Sequence, residues 1–215
     1  MNLARWPVVA VSGSLLLLPV TAWAGAPTDR LRPAMDEVIR ILEDPALKPE
    51  SRVAEREARV RAAVVDLFDY PEMARRTLGL HWRSLGERER EEFTQLFRAL
   101  LEHTYLPNIA LYRGERVRFV GESVDGDVAT VQSLVITART QKEVPVAYRL
   151  RQRDGRWLVY DISVEGISLI SNYRSQFNEI IQRGSYQELV NRIKQKLAAP
   201  PSRDSLDLPG PLRRK

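Results

Sequence analysis

His81, beside Trp82, and His103, in a long helical run, are the only imidazoles in the chain, and there is no cysteine. A transition-metal centre needs thiolate, imidazole and carboxylate ligands at recurrent spacings, and neither histidine has a partner at such a spacing. No serine is placed by the sequence to use either His as a base. G-x-S-x-G, H-E-x-x-H, the P-loop and G-x-G-x-x-G are all missing. One acid stands out: Asp161, flanked by Tyr160 and Ile162 in a strand pattern. In an apolar pocket its pKa would rise and it would suit proton abstraction in a conical cavity. Accepting hydrogen bonds from a helix end or an arginine is the other role open to it. Among the cations, Arg75 and Arg76, followed by Arg83, form a small basic cluster, and Arg174 stands on a later helix. Guanidinium suits bidentate phosphate recognition, although most surface arginines simply face water.

The elements that must position these groups begin after a leader. Arg5 precedes a largely apolar stretch from Val8 to Val20, and Ala22-Trp23-Ala24 supplies the small-x-small pattern of a cleavage site. The apolar stretch is too short for a membrane span, which needs about 20 residues. Residues 1–24 therefore read as a cleaved secretory signal, residues 25–197 as one α+β domain, and residues 198–215, "AAPPSRDSLDLPGPLRRK", as a disordered Pro-rich tail. No cysteine stands at the cleavage site, which argues against a lipoprotein. Loss of Arg5 with the leader takes the formal charge from +5 to +4. So small an excess suits weak contact with anionic lipid or an acidic partner rather than nucleic acid. Without disulfides, an exported fold must rest on core packing alone.

Periodicity places helices near Asp29 to Glu43, after Pro49, and from Asp69 to Gly79. The longest helix starts at a capping-box pattern, Ser84 to Glu87, and is bent or ended by Pro107. From Arg116 the period becomes two, with Asp125-Gly126 and Asp154-Gly155 as hairpin turns. Gly166 ends the last strand and opens a helix in which Ile167, Ile170, Tyr173 and Phe177 share a face. Ser185 to Glu188 is the capping box of a final helix. Helices, an antiparallel meander and helices again predict an α+β fold: a curved four-stranded antiparallel sheet with helices on its concave face. This layout resembles the nuclear-transport-factor-like cone. The long helix, the sheet face and the helix after Gly166 carry an apolar surplus that fits either a solid core or a lined cavity.

"WLVYDISVEGISLISNYRSQF", Trp157 to Phe177, resembles the signature of the toluene-tolerance or MlaC family. "DYPEMARRTLGLHWRSLGERERE", Asp69 to Glu91, followed by "FTQLFRALLEHTYL", is similar to the family's second block, in the same order and at the same distance. The resemblance implies a periplasmic, non-enzymatic carrier that holds phospholipid as cargo, with acyl chains between sheet and helices and the head group near solvent. It implies as partners an inner-membrane ABC transporter complex and an outer-membrane lipoprotein associated with a porin, with transient membrane proximity and no nucleic acid. A hopanoid-associated branch of the family is the alternative cargo class, and a cone-fold isomerase using Asp161 is the rival chemistry. On this reading the acyl chains meet Leu96, Leu100, Tyr105, Phe119, Leu134, Val146, Tyr148, Val159, Ile167, Ile170, Tyr173 and Phe177. Arg75, Arg76 and Arg174 are head-group candidates, and no metal or cofactor is involved.

Overall fold

The computed structural model describes residues 26–109 and 112–200, so the expected leader and residues 201–215 of the tail lie outside the described residues. The order is α1 (Pro27–Glu43), α2 (Val53–Val64), α3 (Tyr70–Leu78), α4 (Glu87–Ile109), β1 (Arg116–Asp125), β2 (Val128–Ile136), β3 (Glu143–Arg153), β4 (Arg156–Val164), β5 (Ile167–Ser168), α5 (Leu169–Arg183) and α6 (Tyr186–Ala198). The strands form one antiparallel sheet in the order β1-β2-β3-β4-β5. Among the described residues no helix is long and apolar enough to cross a membrane.

Local chemistry explains most boundaries. Asp69 caps α3 by accepting the Glu72 N–H at 3.0 Å, and Ser185 caps α6 by accepting the Glu188 N–H at 3.1 Å. The expected capping box at Ser84 does not form. The Ser84 hydroxyl instead donates to the His81 carbonyl inside a 3-10 turn, Gly79–Ser84, and Gly86 donates its N–H to the Glu89 carboxylate just before α4. Pro107 does not end α4, which continues to Ile109. Asp154 and Gly155, with φ of +50° and +73°, make the β3–β4 turn. Gly166 does not open a helix. Glu165 and Gly166, with φ of +51° and +82°, form a third tight turn, and the chain pairs Ile167 with Val164 before α5 begins. This adds a fifth strand to the expected four.

Two register shifts determine which side chains share a face. Val120 is the extra residue between Phe119 and Gly121, and Tyr160 the extra residue between Val159 and Asp161. Such bulges bend a strand and reset its alternation. Val159 therefore stands opposite Leu150 while Asp161 stands opposite Arg149, on the other face. The inner face carries Ala129, Val131, Val146, Tyr148, Leu150, Trp157 and Val159, packed against Leu31 and Met35 of α1 and against Leu67 and Phe68 beyond α2. α1 is anchored there by the Glu122 carboxylate, which accepts from the Thr28 N–H at 2.7 Å, and by the Arg32 guanidinium 4.8 Å from the Phe119 ring.

A second core lies among α3, α4, α5 and α6, with Phe93, Phe97, Tyr173 and Phe177 at its centre. The Phe97 ring meets Tyr173 edge-on at 5.3 Å and Phe177 at 5.9 Å. This helical body joins the sheet along β4, where Asp69 donates its N–H to the Val159 carbonyl at 2.9 Å. A third cluster ties the end of α1 to α2 and α4 through Ile41, Leu42, Leu47, Val60 and Leu106.

Candidate functional site

The inner sheet face is not covered evenly. Near α1's first turns it is sealed, with Val131 and Leu150 fully buried. Towards the other end Phe119, Val135, Ile162 and Val164 are only partly buried, although they belong to the same apolar surface. α1 rests on β1 and β2, and α5 packs on β4 and β5. α4 packs chiefly on α2, α3 and α6, with Phe97 meeting Tyr173 and Phe177 of α5. An apolar face left half-covered by its own helices is a surface with spare contact capacity for an apolar ligand.

The residues expected to form one acyl-chain lining are divided between two cores. Phe119, Val146, Tyr148 and Val159 lie on the inner face, and Leu96, Leu100, Tyr105, Ile170, Tyr173 and Phe177 belong to the helical body. Leu134 is on the opposite, outer face, across from Arg118 and Pro145, because alternation from the buried Val131 and Ser133 turns it away. Ile167 is 52% exposed in β5 and does not begin a helix. Val135, Ile162 and Val164 were not singled out by the sequence. Ile162 joins the inner face only because the bulge at Tyr160 shifts the alternation.

The arginine candidates separate in the same way. Glu72, buried at 7% exposure, accepts two hydrogen bonds from Arg75 and one from Arg76, all at 2.7 Å, and lies 3.2 Å from Arg151. Burial works to raise the Glu72 pKa, but the hydrogen bonds and charges of Arg75 and Arg76 outweigh it and hold the carboxyl at about 2. Arg76 also stacks 4.1 Å from the Tyr160 ring. Arg76, through Tyr160, and Arg151, through Glu72, thus join α3 to the sheet, while Arg75 pairs with Glu72 within α3. Arg174 is exposed on α5, lying against Gly79, and no ion pair involves it among the described residues.

Asp161, 3% exposed, accepts from the Ser168 hydroxyl at 2.7 Å and the Ile170 N–H at 3.1 Å, with Arg149 at 3.8 Å. Each of its oxygens accepts a hydrogen bond at the start of α5, and it faces away from the inner sheet surface. That removes the geometry a general base requires. His81 hydrogen-bonds Asn178 at 3.1 Å, and no group of acids and histidines among the described residues is arranged to hold a metal.

Buried hydroxyls stand in both cores. Tyr148 is buried on the inner face beside Ser133, and burial raises its pKa. Tyr105 and Tyr173 approach each other across α4 and α5, and burial raises both pKa values. A groove of about 870 Å³ runs between α5 and α6. Its floor, Leu100, Phe177, Leu189 and Ile193, is already sealed core, and its walls carry Glu179, Arg183, Glu188, Arg192 and Lys196. It is a charged furrow between paired helices and contains no sheet residue.

The solved structure of a phospholipid-binding protein from Ralstonia solanacearum, in complex with a phospholipid, superposes with a TM-score of 0.68 at 24% identity, covering 80% of this chain and 97% of that one. The fold is thus shared. A curated relative, the intermembrane phospholipid transport system binding protein MlaC of Haemophilus influenzae, is 22% identical over 129 residues. That match takes in 58% of this chain and 60% of the relative's length. The profile of the MlaC protein family matches residues 32–195, from the second turn of α1 almost to the end of α6. The chain belongs to the MlaC family.

Proposed function

We propose that this protein is a phospholipid carrier that holds acyl chains between the half-covered end of the inner sheet face and the facing sides of α1, α4 and α5. The observation that carries the reading is the set Phe119, Val135, Ile162 and Val164, apolar residues of one surface that the protein's own helices leave partly uncovered. Moving two acyl chains of roughly 15 methylenes each into water costs on the order of 20 kcal/mol at about 0.8 kcal/mol per CH₂. Transit across an aqueous gap therefore needs an apolar enclosure. Non-directional contact provides one without any catalytic group, which accords with Asp161 acting at a helix start. The head group faces solvent, where Arg174 remains available to it.

Shuttling follows from the same chemistry. The carrier works in the periplasm after loss of residues 1–24, between an inner-membrane ABC transporter complex and an outer-membrane lipoprotein–porin complex. Purification without detergent, followed by organic extraction, tests the reading. Phospholipid recovered in stoichiometric amount supports it. Protein that carries none and takes none from vesicles contradicts it.

A further inference from the structure

Arg32 follows the fully buried Leu31, which packs α1 on the inner sheet face. Its guanidinium is exposed and lies 4.8 Å from the centre of the Phe119 ring. Asp29 and Asp36 stand at the i−3 and i+4 spacings from which an acid can pair with a helical arginine, yet neither forms an ion pair with Arg32. Glu122, the acid that β1 brings to this part of α1, is taken by Thr28, accepting from its N–H at 2.7 Å and from its hydroxyl at 2.6 Å. Phe119 is one of the four apolar residues that the helices leave partly uncovered, so a cation without a carboxylate rests on the expected cargo surface itself. The other arginines considered for the head group differ: Arg75 and Arg76 are held by Glu72, and Arg174 lies against Gly79.

Building on the carrier reading, we propose that Arg32 anchors the lipid by its phosphate, donating to the phosphodiester oxygens at the rim of the surface where the acyl chains lie against Phe119. A guanidinium that rests on an aromatic ring keeps its N–H edge free for phosphate oxygens. Acyl chains that cover Phe119 expel water around the pair, which strengthens both the attraction to the ring and that to the phosphate. The site then selects lipids that carry a phosphate over neutral lipids with the same chains.

The test uses the delipidated protein with two probes that share their chains, dioleoyl phosphatidylglycerol and dioleoylglycerol, compared for wild type, Arg32→Gln and Arg174→Gln. One charge-assisted contact at a partly solvated rim predicts a preference of about tenfold for phosphatidylglycerol in the wild type. Arg32→Gln should lose that preference while binding dioleoylglycerol within about twofold of wild type. Equal wild-type affinity for the two probes overturns the inference. So does an Arg32→Gln variant that keeps the preference, or one that weakens both probes in parallel, which marks a role in packing α1 on Phe119. Loss of the preference in Arg174→Gln instead moves the anchor to α5, and displacement of phosphatidylglycerol by free glycerol phosphate makes Arg32 a site for soluble phosphate esters; either result overturns the inference. All of these leave the carrier reading standing. A wild type that binds neither probe overturns the inference and the carrier reading together.

Discussion

Replacing Glu72 with Gln keeps the side-chain shape and removes the one acid that Arg75, Arg76 and Arg151 share. The folded carboxyl titrates at about 2 against an ordinary value of 4.5. At 1.36 kcal/mol per pKa unit this corresponds to about 3 kcal/mol of pH-dependent stability. The arginine partners are 33–50% exposed, and screening reduces the figure to about 2 kcal/mol. Because the folded pKa is depressed, the contribution is fully present above pH 4.5 and is lost as the pH falls towards 2. Urea unfolding of wild type and Glu72→Gln should therefore differ by about 2 kcal/mol at pH 7 and converge near pH 2. Bound phospholipid at pH 7 should be equal in the two proteins, since Arg75 and Arg76 serve the fold. A stability gap independent of pH would refute the account of the network. Increased lipid uptake by the variant would return the two arginines to a head-group role.

Asp161→Asn should cost about 1–2 kcal/mol in urea unfolding, because one of two accepted hydrogen bonds at the start of α5 is lost, with lipid binding retained. Val164→Trp, at a partly uncovered position of the inner face, should keep the fold and displace about three methylenes of cargo, lowering phospholipid affinity roughly fiftyfold in a vesicle-transfer assay. Ile167→Asp should change stability by no more than about 0.5 kcal/mol by thermal melting, since the residue is 52% exposed in β5.

The hairpins were legible because Asp-Gly pairs mark tight turns, and α3 and α6 because their caps stand in the sequence as Asp69 and Ser185. The turn at Glu165-Gly166 was misread, since nothing in a glutamate signals a φ of +51°. β5 and the position of Ile167 were lost with it. The cap of α4 was misassigned because Ser84 and Gly86 are both acceptable starts, and packing of the Gly79–Ser84 turn decides between them. In β2 the residues from Leu134 to Ile136 are apolar on both faces, so composition could not orient Leu134. Gly121 is a signal for the bulge at Val120, but the bulge at Tyr160 leaves no compositional trace and still decides which face each of Asp161 and Ile162 joins. Neither was the capture of Arg75 and Arg76 by Glu72 visible, although the i,i+3 and i,i+4 spacings permit it.

The location of the cargo can be measured directly with a phospholipid carrying a photoreactive diazirine near the end of one acyl chain. After loading, irradiation and digestion, mass spectrometry identifies the labelled residues. Label on Phe119, Val135, Ile162 and Val164 is the predicted result. Label confined to the α5–α6 groove, at Ile180, Arg183 or Lys196, or to the outer sheet face at Leu134, would contradict the placement of acyl chains against the inner sheet face.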